Sequence, residues 1–536
     1  MLKAITRIIA SALLAPMLIA TQSFALEQED LRGLASEEIM DRSRAIEKIT
    51  EVGDAESVRI LKGLQNGEIY FTEDELIVVE VEDGVADAVT LELLDPEPDF
   101  YDTVVINNVL RSQLETAIGS LSLFSDDRDT RLTSALALEA SPTAAMRPAI
   151  ERALAKEGDE KIKNSLELSI ALIDLESNET DKQLAAVAHL GDSNERRVRE
   201  LLSAKYEAIK KADVAANVEL LQVLKASIAS IDQRLTLIDY FGRLFSGLSL
   251  GSVLLLVALG LAITYGLLGV INLAHGEMLM IGAYATYMTQ TLFTRFFPQW
   301  FDLYVLAAIP IAFLCAALVG MFLERTVIRW LYGRPLETLL ATWGISLFLI
   351  QLVRQVFGAQ NVEVSNPTWL SGGIDVMSVV LPYNRIAIIV FALLVLVSIW
   401  LVLSKTRLGL FIRAVTQNRG MASCVGVPTG RIDLLAFGLG SGIAGLAGVA
   451  LSQIGNVGPD LGQSYIIDSF MVVVLGGVGQ LAGSVYAALG LGVFSKIIEP
   501  HIGAVLTKII ILVFIIAVIQ KRPQGLFALK GRSVES

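Results

Sequence analysis

A short polar segment interrupts an otherwise apolar stretch of the chain. Asn272, His275 and Glu277 lie within residues 248–284, where most other residues are Leu, Val, Ala, Ile or Gly. A carboxylate at membrane depth is costly and needs a partner or a water-filled cavity, and irregular backbone there must line protein or water. The segment therefore predicts a transport path. The alternative is a structural role, in which Glu277 neutralises a helix end.

A second polar segment lies between two later apolar stretches. Its residues 416–424 can form a short helix that ends at Gly426. Apolar side chains on a short solvent-facing helix favour docking into a groove on a partner protein. A solvated linker is the alternative, but linkers rarely expose Met421, Val425 and Val427 together.

Long apolar runs dominate the chain from about residue 248 onward, and they must position both polar segments. Each run is long enough for a transmembrane helix. A glycine-interrupted region, residues 469–498, predicts either two spans or a re-entrant pair, without changing the parity of crossings. We expect the other spans near Leu248–Leu268, Met278–Phe297, Leu303–Leu323, Leu336–Val356, Ile386–Leu403, Ile432–Ile454 and Val505–Ile519.

Glycines are concentrated in two of these regions. Residues 438–448 carry five glycines, which allow neighbouring helices to approach closely. The break at residues 476–483 has a position in the second half comparable to that of residues 272–277 in the first. Paired interrupted segments point to a substrate path between the two halves.

Basic residues indicate the orientation of the spans. They fall in three clusters that lie on one side of the predicted spans, which is the cytoplasmic side if the N-terminal part is exported. The loops Asn361–Pro382 and Gly455–Ile467 then face outward. The clusters are Arg325, Arg329 and Arg334, then Lys405, Arg407, Arg413, Arg419 and Arg431, and finally Lys521, Arg522, Lys530 and Arg532.

The N-terminal part has a different composition. Residues 1–25 predict a secretory signal peptide, with an uncleaved first helix as the alternative. Residues 26–240 are charge-rich and predict an exported domain, and residues 241–536 form the membrane domain. The net charge of −13 makes a nucleic-acid partner an unlikely class. Cys315 and Cys424 both fall in the membrane half, so the sequence implies no disulfide framework.

Helical periodicity recurs through the exported part. Apolar residues in 146–154, 162–173 and 198–202 are spaced as in helices, with turn signals between them. Short paired helices suggest a HEAT-like solenoid, and ordinary helix packing is equally compatible. Residues 70–71, 76–81 and 88–93 predict a small β insertion. We expect His189 to be a packed or surface residue and not a metal ligand. We expect no catalytic or metal site in this chain.

The membrane half resembles the permeases of the branched-chain amino acid and amide ABC import family. Residues 247–284 are similar to the first conserved block of that family, and residues 406–427 are similar to its loop to the ATPase. Residues 438–479 and 520–527 are similar to its urea-type branch. The fold class that follows is all-α: a polytopic transmembrane permease domain preceded by an exported, mainly helical domain.

This resemblance implies a permease subunit of a urea importer in the bacterial inner membrane, which is not itself an enzyme. The implied partners are a second permease, two cytoplasmic ATPases and a periplasmic binding protein. The chain contains no phosphate-binding loop of the Gly-x-x-x-x-Gly-Lys-Ser/Thr type, so we expect ATP to be hydrolysed by the partners and no cofactor here. Gly420 stands where related importers often carry Glu. The expected coupling residues are Arg413, Asn418, Arg419, Met421, Ala422 and Gly426.

Urea is small, neutral and rich in hydrogen-bonding groups, so amide and carboxylate side chains suit its path. We therefore expect Gln453 and Asn456 to join Asn272, His275 and Glu277. Import of branched-chain amino acids or short amides is the first alternative. A proton-coupled carrier or a passive urea channel would need no docking helix, and in a third alternative the exported domain is a sensor anchored by the spans.

Overall fold

The computed structural model describes residues 26–522 and 525–527, except residues 37, 53–54, 82–83, 97, 99, 212–217, 270–271 and 377. The chain divides into two compact units, Met1–Asp232 and Gln233–Ser536. We predicted the boundary after residue 240. The observed boundary, after Asp232, lies on the same helix and a little before that position. The predicted signal peptide lies outside the described residues.

Amphipathic helices with side-chain caps build the first unit. Asp159, for example, accepts a hydrogen bond from the backbone N–H of Lys161 at 2.9 Å, and this bond starts the helix that follows. The predicted helical periodicity is confirmed, since Ile150, Ile162 and Leu166 are buried in one apolar cluster. The helices are α1 (Gln28–Leu31), α2 (Ile39–Val52), α3 (Ala55–Asn66), α4 (Asn108–Ser122), α5 (Arg128–Ala140), α6 (Arg147–Lys156), α7 (Glu160–Leu175), α8 (Thr180–Leu190), α9 (Arg196–Lys211) and α10 (Val218–Leu268), which continues into the second unit.

A small antiparallel sheet follows α3, as predicted, but its strands differ from the prediction. Its order is β3-β2-β1-β4, with strands β1 (Ile69–Thr72), β2 (Ile77–Val81), β3 (Gly84–Asp87) and β4 (Tyr101–Thr103). The strand expected at residues 88–93 is wrong: Asp87 Oδ1 accepts hydrogen bonds from the N–H groups of Val89 and Thr90, and this local bonding makes a turn there.

The second unit consists of long apolar helices. Seven helices of the described residues are long and apolar enough to cross a membrane. The predicted all-α polytopic fold with a small β insertion is therefore confirmed. The helices after α10 are α11 (His275–Phe296), α12 (Tyr304–Thr326), α13 (Pro335–Phe357), α14 (Tyr383–Lys405), α15 (Arg407–Gln417), α16 (Arg419–Cys424), α17 (Thr429–Ser452), α18 (Leu461–Gly476), α19 (Leu481–Ile502) and α20 (Ala504–Lys521).

Glycine contacts hold α17 at the centre of this unit. The Cβ that an alanine would place at Gly440 lies 2.7 Å from the carbonyl oxygen of Gly260 on α10. A Cβ at Gly282 on α11 would overlap the backbone of Gly445 on α17. The close approach predicted from the glycines of residues 438–448 is therefore confirmed.

Two of the predicted loops differ from their expected extent. Residues 361–382 contain an unpredicted hairpin of strands β5 (Gly373–Val376) and β6 (Val379–Pro382). The predicted loop Gly455–Ile467 is too long, because α18 already begins at Leu461. The glycine-interrupted region resolves into two helices, the 16-residue α18 and the longer α19, separated by Gly477–Gln480.

Candidate functional site

The polar segment of the first apolar stretch forms a break between two helices. Helix α10 ends at Leu268, and Gly269 follows with a φ of +67°, a conformation that glycine adopts readily. Helix α11 begins at His275. Thr342 on α13 supports the break, because its Oγ1 accepts a hydrogen bond from the backbone N–H of Leu273 at 3.3 Å.

Three polar side chains at this break and in the first turn of α11 are buried. Asn272 is 3% exposed, His275 0% and Glu277 1%. The Oγ of Ser346 on α13 donates a hydrogen bond to Glu277 Oε1 at 2.9 Å. His275 Nε2 lies 3.4 Å from the carbonyl oxygen of Val257 on α10. We call Asn272, His275 and Glu277 the polar cluster.

Each member of the polar cluster has one atom without a hydrogen-bond partner among the described residues. These atoms are Asn272 Oδ1, Glu277 Oε2 and His275 Nδ1. In a neutral imidazole whose Nε2 donates to the Val257 carbonyl, Nδ1 is an acceptor. A buried acceptor left without a donor costs about 1–3 kcal/mol. Each of these three acceptors is therefore open to a water or ligand that carries N–H or O–H donors.

The first turn of α18 lies against the first turn of α11. An alanine Cβ at Gly276 would lie 2.6 Å from the carbonyl oxygen of Gly462. Two helix N-termini therefore meet beside the polar cluster, an arrangement seen where broken helices form transport sites. The second interrupted segment, residues 476–483, lies beside the end of α10 instead of the first turn of α11. Gly476 and Gly483 contact each other, and Gly479 lies near Gly266.

The other two predicted path residues are Gln453 and Asn456, and their surroundings differ from those of the polar cluster. Gln453 is buried, and its Nε2 donates to the hydroxyl of Tyr304 at 3.2 Å. Its backbone carbonyl accepts a bond from Asn384 Nδ2 at 2.9 Å. Asn456 is exposed. None of the hydrogen bonds recorded for the described residues joins Gln453 or Asn456 to the polar cluster.

Sequence reasoning missed the hydroxyl groups of α13. Thr338, Thr342 and Ser346 are all buried, although the rest of this helix is largely exposed. Their spacing of four residues places them on one face of a helix. That spacing, in an otherwise apolar span, was a signal that could have identified them beside the polar cluster.

A separate cavity of about 240 Å³ lies between α10, α18, α19 and α20. Its charged groups form two ion pairs, Asp468 with Lys508 at 3.1 Å and Lys496 with Glu499 at 2.7 Å. Sequence reasoning did not identify it, because its residues come from distant parts of the chain. The rest of its wall is mainly apolar, including Leu250, Leu254, Met471 and Leu491.

The short helix predicted in the second polar segment is present as α16, but it begins at Arg419 because residues 416 and 417 end α15 and Asn418 separates the two helices. Asn418 Oδ1 caps it by accepting a hydrogen bond from the N–H of Met421 at 2.8 Å, and Gly426 follows the helix with a φ of +83°. Met421 is 64% exposed and Val425 75%, whereas Ala422 is buried. The helix therefore presents apolar side chains outward.

The remaining expected coupling residues have internal partners. Arg413 is exposed and donates a hydrogen bond to the carbonyl of Leu403. Arg419 bonds to Asp433 on α17. In the first unit His189 is exposed, and the described residues contain no group of three or more His, Cys, Asp or Glu suited to a metal ion.

Comparison with known proteins agrees with this architecture. The family model described as the permease component of the branched-chain amino acid transport system matches residues 243–519. A high-affinity branched-chain amino acid permease, BraD of Pseudomonas aeruginosa, is 32% identical over 54% of this chain and 95% of its own length.

More distant relatives extend this comparison. LivH of Salmonella typhimurium, also a high-affinity branched-chain amino acid permease, is 28% identical over 54% of this chain and 95% of its own length. The fructose import permease FrcC of Rhizobium meliloti is 28% identical over 47% of this chain and 71% of its own length. No solved structure matches the chain. With more than half of its residues matched by the family model, the chain belongs to the branched-chain amino acid transport permease family and is a multi-pass membrane transport subunit rather than an enzyme.

Proposed function

We propose that this chain forms, with a second permease subunit, the translocation path of an ATP-driven importer of urea. The observation that carries the proposal is the polar cluster, in which three buried acceptor atoms lack a donor. Urea offers four N–H donors and one carbonyl acceptor, the same groups as a side-chain amide. A solute of this kind satisfies acceptors that the protein leaves open.

The absence of a cation at the polar cluster favours a neutral substrate. Among the described residues, Glu277 bonds to the neutral hydroxyl of Ser346 and its second oxygen has no partner. A solute carboxylate placed beside Glu277 would face a like charge at low dielectric, which is strongly unfavourable. The similarity of residues 438–479 to the urea-type branch supports the same assignment.

Branched-chain amino acids are a second candidate substrate, favoured by one further observation. The cavity between α10 and α18–α20 combines two ion pairs with an apolar wall, a surface that suits a zwitterion with an aliphatic side chain. BraD and LivH are both named as branched-chain amino acid transport permeases. Uptake measurements must therefore compare both substrates.

The partner subunits follow from the family and from α16. ATP-binding subunits supply the hydrolysis, a periplasmic binding protein delivers the substrate, and the chain needs no cofactor of its own. The exposed Met421 and Val425 on α16 form the surface that docks into the ATPase. This assignment places α16 and the C-terminus in the cytoplasm and the first unit in the periplasm.

Uptake by the assembled complex tests the proposal. The chain is reconstituted in vesicles with its second permease, both ATPases and the binding protein, and labelled urea and labelled leucine are supplied separately. We expect urea uptake that depends on ATP inside the cytoplasmic compartment. Leucine uptake without urea uptake would show that the substrate is a branched-chain amino acid and not urea. Urea uptake that does not depend on ATP or on the ATPases would favour a passive channel.

Reporter fusions test the orientation. A reporter that works only in the periplasm should be active when it is fused after Ile238. A reporter that works only in the cytoplasm should be active when it is fused after Arg532. The reverse result at either position would overturn the assignment, since the basic clusters on which it rests would then lie outside.

A further inference from the structure

Two carboxylates are buried at the end of the second unit that carries α16. Glu324 lies in the last turn of α12 and Asp433 in the first turns of α17, and both side chains are inaccessible to solvent. Sequence reasoning assigned neither of them a role. A buried carboxylate requires a partner, so the groups around each one are informative.

Asp433 is paired with the helix that we expect to dock into the ATPase. The guanidinium of Arg419, the first residue of α16, makes two hydrogen bonds to the carboxylate, one of them at 3.3 Å and one shorter. Two parallel bonds of this kind fix orientation as well as distance. The pair therefore ties α16 to the start of α17.

Glu324 is joined to the same arginine through an aromatic ring. The guanidinium carbon of Arg419 lies 5.2 Å from the centre of the Tyr332 ring, within the range of a cation–π interaction. The Tyr332 hydroxyl donates a hydrogen bond to Glu324 Oε1 at 2.9 Å. Burial raises the pKa of Tyr332 well above its usual range, so this hydroxyl stays a donor. Glu324 Oε2 has no partner among the described residues.

Helix α17, which Arg419 holds through Asp433, leads to the polar cluster. Helix α17 packs through Gly440 on Gly260 of α10, and Gly260 lies beside the His275 ring. It also packs through Gly445 on Gly282 of α11. Because these contacts are backbone to backbone, a shift of α17 must displace the elements that carry the polar cluster.

We propose that Arg419, Asp433, Tyr332 and Glu324 form a latch that transmits movement of α16 to α12 and α17. Arg419 is then a positioning residue that acts inside the permease, and the ATPase contacts the exposed apolar side chains of α16 instead. The inference rests on the proposed ATP-driven import, but it does not depend on which substrate is carried.

Single and double variants separate a latch from a structural ion pair. Arg419→Gln alone leaves the buried Asp433 carboxylate without this partner, which should reduce the amount of folded protein as well as transport. Removing both charges in the Arg419→Gln/Asp433→Asn double variant avoids that penalty and should restore abundance. If the pair is a latch, the uptake per ATP hydrolysed should stay at least about fivefold below wild type in the double variant, because α16 is no longer tied to α17.

Two further variants serve as references. Tyr332→Phe keeps the ring under Arg419 and removes the bond to Glu324, so we expect a smaller loss of uptake per ATP. Glu337→Gln removes an exposed ion pair with Arg334 in the same region and should leave this ratio unchanged. A double variant with normal abundance and a wild-type ratio would overturn the latch.

A second measurement does not require transport. In the assembled complex, adding nucleotide should change the hydrogen exchange of backbone amides in residues 429–437 of the wild-type chain and leave it nearly unchanged in the double variant. An equal change in both proteins would overturn the latch. A wild-type complex that shows this change but imports no urea would contradict the substrate assignment and leave the latch supported.

Discussion

The two units of the chain place their charges in opposite ways. In the first unit, carboxylates pair with arginines between helices, as Asp159 does with Arg128 at 2.7 Å and Glu157 with Arg131 at 2.9 Å, and both arginines are partly exposed. In the second unit, Glu277 and Glu324 are buried and bond to neutral hydroxyl groups. Each of these two carboxylates also has one oxygen without a partner among the described residues.

We interpret this difference as one between charges that support the fold and charges that the proposed transport path uses. Exposed ion pairs contribute about 0–1 kcal/mol each, so the first unit is held mainly by its apolar clusters. In the second unit, the apolar helices and their glycine contacts supply the packing. Burying a carboxylate among such helices costs free energy. A buried carboxylate there is therefore a candidate for a role in transport.

The largest expected effect comes from a single methyl group in the second unit. Gly282→Ala places a Cβ in the backbone of Gly445, and overpacking of this kind costs about 1–3 kcal/mol or more. We expect a marked fall in the amount of folded protein, measured by its monodisperse fraction after extraction from the membrane.

The matched control for this variant is Gly490→Ala, because a Cβ there meets nothing within 4 Å. The control should behave as wild type. Equal behaviour of the two variants would show that close glycine contacts do not set the stability of this unit.

The next effect concerns uptake through the polar cluster. Glu277→Gln keeps the size of the side chain and one acceptor, so it should slow urea uptake only modestly, whereas Glu277→Leu removes both acceptors and should stop it. Initial rates in vesicles, at matched membrane abundance, measure the difference. Equal loss in both variants would favour a proton relay, and no loss in either would make Glu277 structural.

A third effect concerns coupling through α16. Proline at Met421, in the first turn, would remove only the N–H that Asn418 Oδ1 caps and would leave the bond from the Ala422 N–H intact. Ala422→Pro removes the bond from its N–H to the carbonyl of Asn418, recorded at 3.0 Å, and introduces a ring at a buried position.

We expect the Ala422→Pro variant to insert normally but to lose ATP hydrolysis that depends on the binding protein. Hydrolysis by the assembled complex, with and without that protein, measures this. Undiminished stimulation would remove α16 from the coupling path.

The smallest effect lies in the first unit. The Arg131 guanidinium lowers the pKa of the Glu157 carboxyl by hydrogen bonding to it. This pair therefore stabilises the fold above the unfolded pKa of Glu, about 4.3, and the stabilisation is lost as the pH falls through the lower folded value.

Arg131→Met should therefore reduce the protection of amides in residues 125–160 modestly at pH 7, and the reduction should shrink as the pH falls toward 3. Hydrogen exchange of the full chain at both pH values measures this. A loss much larger than the effect of an exposed pair would contradict the contrast between the two units.

The sequence determined the elements and the polar positions with good fidelity. Hydrophobic length predicted the spans, and capping and stop residues such as Asn418 and Gly426 predicted α16, because these signals act over a few neighbouring residues. The cost of charge in an apolar run also identified the segment that contains Glu277. Strand boundaries near residue 88 were missed, since one side-chain bond from Asp87 decided them.

The partners of those positions were decided only by the tertiary structure. Ser346 is bonded to Glu277 and Asp433 to Arg419, and Gly462 lies against Gly276. The last contact joins residues that are far apart in the sequence of the second unit. Sequence spacing carries no information about such pairs, because which helix faces lie together depends on how all the apolar surfaces of the unit are buried at once. The chain alone thus specified where polar groups interrupt its helices, whereas packing specified which of them form one site.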